Sequence, residues 1–366
     1  MLRSEPKEQT SMTDMLRAKI EAWDGDAVVV SHDRPTGTWI FIALHDTSMA
    51  SSVGGTRMKA YPTPADGLED ALRLGQGMTY KWAGVGIRFG GAKGVMALPG
   101  PLDDESRGGL LRRYGALVQS LGGRFRTGVD LGTTPEDLLA VAETCDYVVG
   151  VTDGHSEDPG PFTALGVYVG IRAAVAHRFG VDSVAGRSVL IQGVGDVGLP
   201  LAGLLHDAGA TILVSDIDAA AAASAAARFE ASTIPPEDVY ETEVDVYAPC
   251  AIGATANPET IPRLRCGIIA GSANNQLLTP DDAVALHQRG ILYAPDYIIN
   301  AGGAVAFAGI YEGVHDETEL NARVETIEGS LRQIFAEAEA ADESPLAAAR
   351  RVADRFLETG GGSSAI

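Results

Sequence analysis

Ser188-Val189-Leu190-Ile191-Gln192-Gly193-Val194-Gly195-Asp196-Val197-Gly198 runs from an apolar segment straight into three glycines spaced G-x-G-x-x-G. In a chain with 44 glycines the spacing alone says little. Its flanks carry the reading: Ser188–Gln192 has strand character, and Val197–Ala208 has helical spacing. Gly193 suits a tight turn, Gly195 lets a pyrophosphate approach the backbone, and Gly198 permits close helix–strand packing. Asp196 and Val197 complete the turn, and the amides at the helix start suit phosphate. The next apolar run, Thr211–Ser215, ends at Asp216, placed where a carboxylate binds both hydroxyls of an adenosine ribose and repels a 2′-phosphate. That favours NAD over NADP. Asp216 could instead cap the following helix, although Asp218 is better placed for that.

Outward from this turn the chain alternates. Helices are expected at Phe162–Phe179 and Asp218–Glu230, and strands at Asp245–Ala248, Gly267–Ala270 and Ile291–Tyr293. The rhythm implies a parallel sheet covered on both faces. Upstream, Val151–Pro161 is rich in Gly, Pro and acid and reads as a linker. Trp39–Leu44 reads as a buried strand, Asp146–Gly150 as a short one, and 65–82 and Asp103–Leu121 as helices. Thr134-Pro135-Glu136-Asp137 opens another helix in capping-box style. The first 25 residues read as a polar helix, and 317–358 as helical up to a Gly/Ser tail.

Composition narrows the function classes. At 366 residues two domains are expected. No apolar run reaches the ~18 residues of a membrane span, and the polar start lacks the apolar core of a secretory signal. Three scattered cysteines match no zinc spacing, so no metal is expected, and they suggest a reducing cytoplasmic setting. The net charge of −21 disfavours nucleic acid and anionic membranes as partners. Acidic excess with few lysines is also what a high-salt cytoplasm selects, although a GC-rich genome produces a similar bias.

The five lysines stand against 23 arginines, from a total of 28. Two of them, Lys81 and Lys93, fall in Met78-Thr79-Tyr80-Lys81-Trp82-Ala83-Gly84-Val85-Gly86-Ile87-Arg88-Phe89-Gly90-Gly91-Ala92-Lys93-Gly94. Arg keeps its proton in a protein, whereas a partly buried Lys can release one. Lysine here therefore points to proton chemistry.

Further segments join this one in order: Gly54-Gly55-Thr56-Arg57-Met58, Gly128-Val129-Asp130-Leu131-Gly132-Thr133-Thr134, Gly271-Ser272-Ala273-Asn274-Asn275-Gln276-Leu277, and Ala294-Pro295-Asp296-Tyr297-Ile298-Ile299-Asn300-Ala301-Gly302-Gly303. Together they resemble the amino-acid dehydrogenase family of leucine, valine, phenylalanine and glutamate dehydrogenases, over roughly residues 35–355. The resemblance implies NAD-dependent, reversible oxidative deamination of an L-amino acid to a 2-oxo acid and ammonia, by a homo-oligomer. It implies two α/β domains with the active site in the cleft. Residues 1–150, completed by C-terminal helices in 311–366, would form a catalytic and oligomerisation domain with a mostly parallel sheet. Residues 151–310 would form a Rossmann-type, doubly wound NAD domain.

By the same resemblance Lys81 holds the substrate carboxylate with Gly55, and Lys93 is the catalytic acid/base. Asp130 relays protons, Asn275 positions substrate and cofactor, and Thr163 and Asn300 lie near the nicotinamide. The chemistry suits these residue types. Hydride loss from Cα gives an imine that water attacks, and each step moves protons. A free lysine titrates near ~10.4. Burial and a second cation both favour its neutral form, and Asp130 opposes them. Val53 stands where glutamate dehydrogenases carry a lysine for the side-chain carboxylate, so an apolar substrate is expected. Gly128, Ala304 and Phe307 match the other pocket positions and allow leucine-sized through aromatic side chains. The departures are Trp82, where relatives usually have a small polar residue, and Ala92 within the glycine run. The alternatives are a dinucleotide sensor without catalysis, or the same reaction on alanine or glutamate.

Overall fold

The computed structural model describes residues 19–49, 51–152, 155–156 and 158–360, which divide into two compact units. Among the described residues, one comprises those up to 79 together with 89–148, and the other 80–88 together with those from 149 onward. The first 18 residues of the expected N-terminal helix lie outside the described residues; 19–23 are helical.

The first unit is a five-stranded mixed sheet with helices on both faces. Its strands are β1 (Ala27–Asp33), β2 (Thr38–Leu44), β3 (Ser52–Ala60), β4 (Gly90–Leu98) and β5 (Phe125–Val129), in the order β1-β2-β4-β3-β5. β1 with β2 and β2 with β4 run antiparallel, whereas β3 pairs parallel with both β4 and β5. Helix α1 (Pro64–Gly84) forms the crossover from β3 to β4, and α2 (Asp104–Ser120) and α3 (Pro135–Ala142) flank β5 in sequence. The period-2 alternation of β2 explains why it reads as an unbroken apolar run. Ile40, Ile42 and Leu44 pack with Leu110, Tyr114 and Val118 of α2. Phe41 and Ala43 face the other way, with Ala71 and Leu72 of α1. Thr134 and Asp137 form the expected capping box of α3, with Pro135 in its first turn.

Asp146–Gly150 does not form the expected strand. Only an isolated bridge between Thr127 and Val148 remains there. The expected linker contains a two-residue antiparallel pair, β6 (Val151–Thr152) with β7 (His155–Ser156), and its residues 153, 154 and 157 lie outside the described ones.

The second unit begins with α4 (Gly160–Phe179) and continues β8 (Ser188–Gln192), α5 (Gly198–Asp207), β9 (Thr211–Ser215), α6 (Ala219–Phe229), β10 (Ser232–Thr233), β11 (Val244–Pro249), β12 (Cys266–Ile269), α7 (Asp281–Gln288) and β13 (Leu292–Tyr293). The six strands are all parallel, in the order β10-β9-β8-β11-β12-β13. Counted within the unit this is 3-2-1-4-5-6, the doubly wound dinucleotide-binding order, with its switch point between β8 and β11. Asp218 caps α6 by accepting from the amides of Ala220 and Ala221.

The chain ends with α8 (Asp296–Ile299), α9 (Gly302–Tyr311), α10 (Glu317–Ala341) and α11 (Pro345–Glu358). The sequence reading joined 311–366 to the first unit; the packing places the described part, to residue 360, in the second. The cause lies in α4. A Cβ on its Gly166 would meet Ile327 of α10 at 3.1 Å, and one on Gly170 would meet Leu331 at 2.9 Å. Two glycines four apart leave a groove into which the apolar ridge of α10 sinks.

Candidate active site

Three parallel strands bring the charged groups of the first unit together. Thr56 of β3 pairs with Gly94 of β4 on one side and Val129 of β5 on the other. Thr56 turns to the α2 face, where its hydroxyl bonds Tyr114 and Thr127. Alternation therefore sends Arg57 to the α1 face, and Asp130 follows directly on β5. Lys93 is buried in β4, and its Nζ donates to Asp130 Oδ1 at 2.8 Å. The other oxygen, Oδ2, accepts from Arg57 Nε at 2.8 Å. Arg57 Nη1 also donates to Asp70 Oδ2 of α1 at 2.9 Å, and Asp70 takes further bonds from Tyr61 and Arg73. Burial alone would push the Asp130 carboxyl up. The Lys93 ammonium and the Arg57 guanidinium outweigh it and hold Asp130 well below the usual carboxylate range.

The glycines here are set by backbone proximity. A Cβ on Gly55 would lie 2.2 Å from the Val129 carbonyl oxygen and 3.1 Å from Asp130 Cβ. One on Gly91 would lie 2.0 Å from the Thr79 amide nitrogen in α1. Only hydrogen at these positions lets the strands and α1 close up around Lys93. Gly55 sits opposite Gly128 in the register, and Val53 is buried two residues earlier.

Lys81 belongs to the second unit. Its Nζ donates to Asn300 Oδ1 at 2.8 Å. Asn300 is buried, and its Nδ2 donates to Asn274 Oδ1 at 2.8 Å and to the Ser272 carbonyl at 3.1 Å. The resemblance had put Asn300 near the nicotinamide and favoured Asn275. Asn274 and Asn275 are both exposed; the Asn274 side chain meets Asn300, and Asn275 has φ +53°, its carbonyl accepting from the Ala254 amide. Ala304 and Phe307 lie on α9, and a Cβ on Gly150 would touch the Phe307 ring at 2.7 Å. Thr163 sits in the first turn of α4 with its hydroxyl on the Pro159 carbonyl, against the Gly302-Gly303 start of α9.

The glycine turn joins β8 to α5 as expected. Gly193 has φ +96°, which favours glycine. A Cβ on Gly198 would lie 1.9 Å from the Gly193 carbonyl oxygen, whereas one on Gly195 would meet no atom of the protein within 4 Å. Packing thus explains Gly198 but not Gly195, whose bareness suits an external group lying on the turn. No side chain caps α5, so its first turn suits an anion. Asp196 is exposed and Val197 half-buried. Asp216 Oδ2 accepts from the Val194 amide at 2.9 Å, which fixes the carboxylate beside the turn. The residues therefore fit a dinucleotide.

Arg57, Asp70, Tyr61 and Asn274 were not singled out for chemistry in the sequence. Arg57 stood inside a quoted motif, and its signal was an arginine between two inward-facing neighbours, Thr56 and Met58, on a strand. Among the described residues no helix is long and apolar enough to cross a membrane, and no cluster of His, Cys, Asp and Glu could hold a metal.

The family model described as Glu/Leu/Phe/Val dehydrogenase, dimerisation domain, matches residues 30–147. The model described as Glutamate/Leucine/Phenylalanine/Valine dehydrogenase matches residues 216–353. Leucine dehydrogenase of Geobacillus stearothermophilus is 40% identical over 342 residues, covering 93% of this chain and 92% of the relative. Phenylalanine dehydrogenase of Lysinibacillus sphaericus is 38% identical, covering 91% and 88%. The crystal structure of L-tryptophan dehydrogenase from Nostoc punctiforme superposes with a TM-score of 0.83 at 38% identity, covering 95% of this chain and 100% of that one.

Proposed function

The chain belongs to the Glu/Leu/Phe/Val dehydrogenase family, and on that footing we propose that it deaminates an apolar L-amino acid oxidatively, using NAD, to the 2-oxo acid and ammonia. The observation that carries this reading is the buried Lys93–Asp130 pair at the head of three glycine-lined strands.

A nicotinamide dinucleotide on the glycine turn supplies a hydride acceptor. Asp216 selects NAD, because a fixed carboxylate repels a 2′-phosphate. Lys81, steadied by Asn300, holds the substrate carboxylate. Loss of hydride from Cα leaves an imine. Lys93 in its neutral form takes a proton from the attacking water, and its ammonium returns one to the nitrogen, so that the carbinolamine collapses to ketone and ammonia. Asp130 stays ionised between its two cations, orients Lys93 Nζ and accepts from the substrate ammonium. Val53 is buried and carries no charge to meet a γ-carboxylate, which supports an apolar side chain. Leucine-like or aromatic substrates fit the small Gly128 and Ala304. The three free cysteines support a reducing cytoplasm, and the first family model's description supports self-association through residues 30–147.

The test is NAD reduction followed at 340 nm across the twenty L-amino acids. Leucine, valine, isoleucine, phenylalanine or tryptophan is expected to give the highest kcat/KM, with glutamate at least about a hundredfold lower, the cost of leaving a charge unpaired. Dinucleotide binding without NADH formation from any amino acid would reduce the protein to a sensor.

A further inference from the structure

We propose that Arg57 is a positioning residue for the proton-transfer pair, fixing Asp130 so that Lys93 can lose and regain its proton without the carboxylate turning or protonating. This rests on the reaction assigned above.

Four observations converge. Asp130 divides its oxygens, Oδ1 to Lys93 and Oδ2 to Arg57, each at 2.8 Å. Arg57 is itself held at its far side by Asp70, at 2.9 Å. All three side chains of this second pair-up are nearly enclosed, with 11% of Arg57, 17% of Asp130 and 12% of Asp70 exposed. Asp70 is in turn fixed by Tyr61 and Arg73, so the chain of contacts is anchored in α1.

The consequence follows from the chemistry of the two cations. In the reaction Lys93 alternates between ammonium and amine. Were Lys93 the sole partner of Asp130, each deprotonation would leave a buried carboxylate without a cation, which is costly. Arg57 keeps its charge throughout. It thus supplies a permanent counterion to the carboxylate whichever form Lys93 takes in the reaction. The planar fork also reaches Asp130 and Asp70 at once, which a lysine ammonium cannot do in the same geometry. The Arg57 side chain donates to Asp130 and to Asp70, so it acts through Asp130.

The groups facing Asp130 are Lys93 from β4 and Arg57 from β3, with Asp70 and Arg73 of α1 and Tyr61 behind Arg57. The Arg57 cation lowers the Asp130 pKa, so its removal raises that pKa. Lys93 still faces the carboxylate in such a variant, so Asp130 stays ionised through the assay range and the loss reads as misplacement rather than as protonation.

The experiment compares wild type, Arg57→Gln and Arg57→Lys on the best substrate of the amino-acid panel, with melting temperature and NADH affinity measured in parallel. Arg57→Gln is expected to lower kcat about a hundredfold, the effect of misplacing a reacting group by ~1 Å, with KM within about threefold. Arg57→Lys, which keeps the charge but not the planar fork, recovers only part of kcat at an unchanged KM. Should Arg57→Gln fail to fold, Arg57→Lys decides: reduced kcat at unchanged KM and NADH affinity supports the proposal. A rise in KM alone, or a kcat loss that only follows the melting temperature in both variants, overturns it. A wild type that turns over no amino acid would instead defeat the assigned reaction, a separate failure.

Discussion

At the scale of single residues, position 93 decides most. A lysine here is flanked by glycines whose lack of Cβ lets α1 and β3 close around it, and its ammonium meets one carboxylate. Lys93→Ala removes the proton carrier while leaving the glycine turn of the second unit untouched. The expected result is NADH binding within about twofold of wild type and a kcat reduced by at least about a thousandfold, within the range for loss of a general acid/base. Fluorescence titration with NADH and stopped assays over hours measure the two. Turnover within tenfold of wild type would remove Lys93 from the chemistry. The scarcity of lysine made this position legible in the sequence. Arg57 was not legible, because the partner that gives it meaning lies 73 residues away and arginine is common in this chain. Asn274 shows the same limit, because the Asn300 amide that meets it lies 26 residues away.

At the scale of elements, the strand–turn–helix of the dinucleotide site was readable because an apolar strand, the glycine turn and a helix start follow one another without a gap. The last two glycines differ, Gly198 serving packing and Gly195 leaving the turn bare, and substitution separates them. Gly198→Ala drives a Cβ into the Gly193 carbonyl at 1.9 Å, so the turn must open. It is expected to cost about 1–3 kcal/mol of stability, as overpacking does, and to lower the melting temperature. Gly195→Ala meets no protein atom. The melting temperature is expected to stay within about a degree, while NADH affinity falls about tenfold or more, because the methyl stands where a pyrophosphate would approach. If Gly195→Ala bound NADH normally, the turn would not be the phosphate site. The C-terminal helices teach the opposite lesson. Val324, Ile327, Leu331, Ile334 and Ala338 declare a buried stripe along α10, but periodicity names no partner. That information sat in Gly166 and Gly170, in a largely apolar helix whose glycines matter only when another helix lies against them.

At the scale of the whole molecule, the net charge of −21 acts on every element at once. Like charges repel more strongly in the compact state than in the unfolded one, so the folded protein carries a self-repulsion that salt relieves. Against it stand surface ion pairs such as Arg112–Glu143 and Arg263–Glu241, which salt weakens. Exposed pairs of this kind contribute only about 0–1 kcal/mol each at low salt. The 49 acidic residues outnumber the 28 basic ones, so many carboxylates have no cation to pair with and the repulsive sum prevails. Raising KCl from ~0.1 to ~1 M shortens the screening length from about 10 to about 3 Å. The melting temperature is therefore expected to rise, by a few degrees, while kcat changes little, because Lys93 and Asp130 are enclosed and screened far less. A scan of both quantities against KCl separates the two effects. A melting temperature that falls with salt would mean that paired charges, not the excess, set the stability, and that the acidic surface has no bearing on a saline habitat.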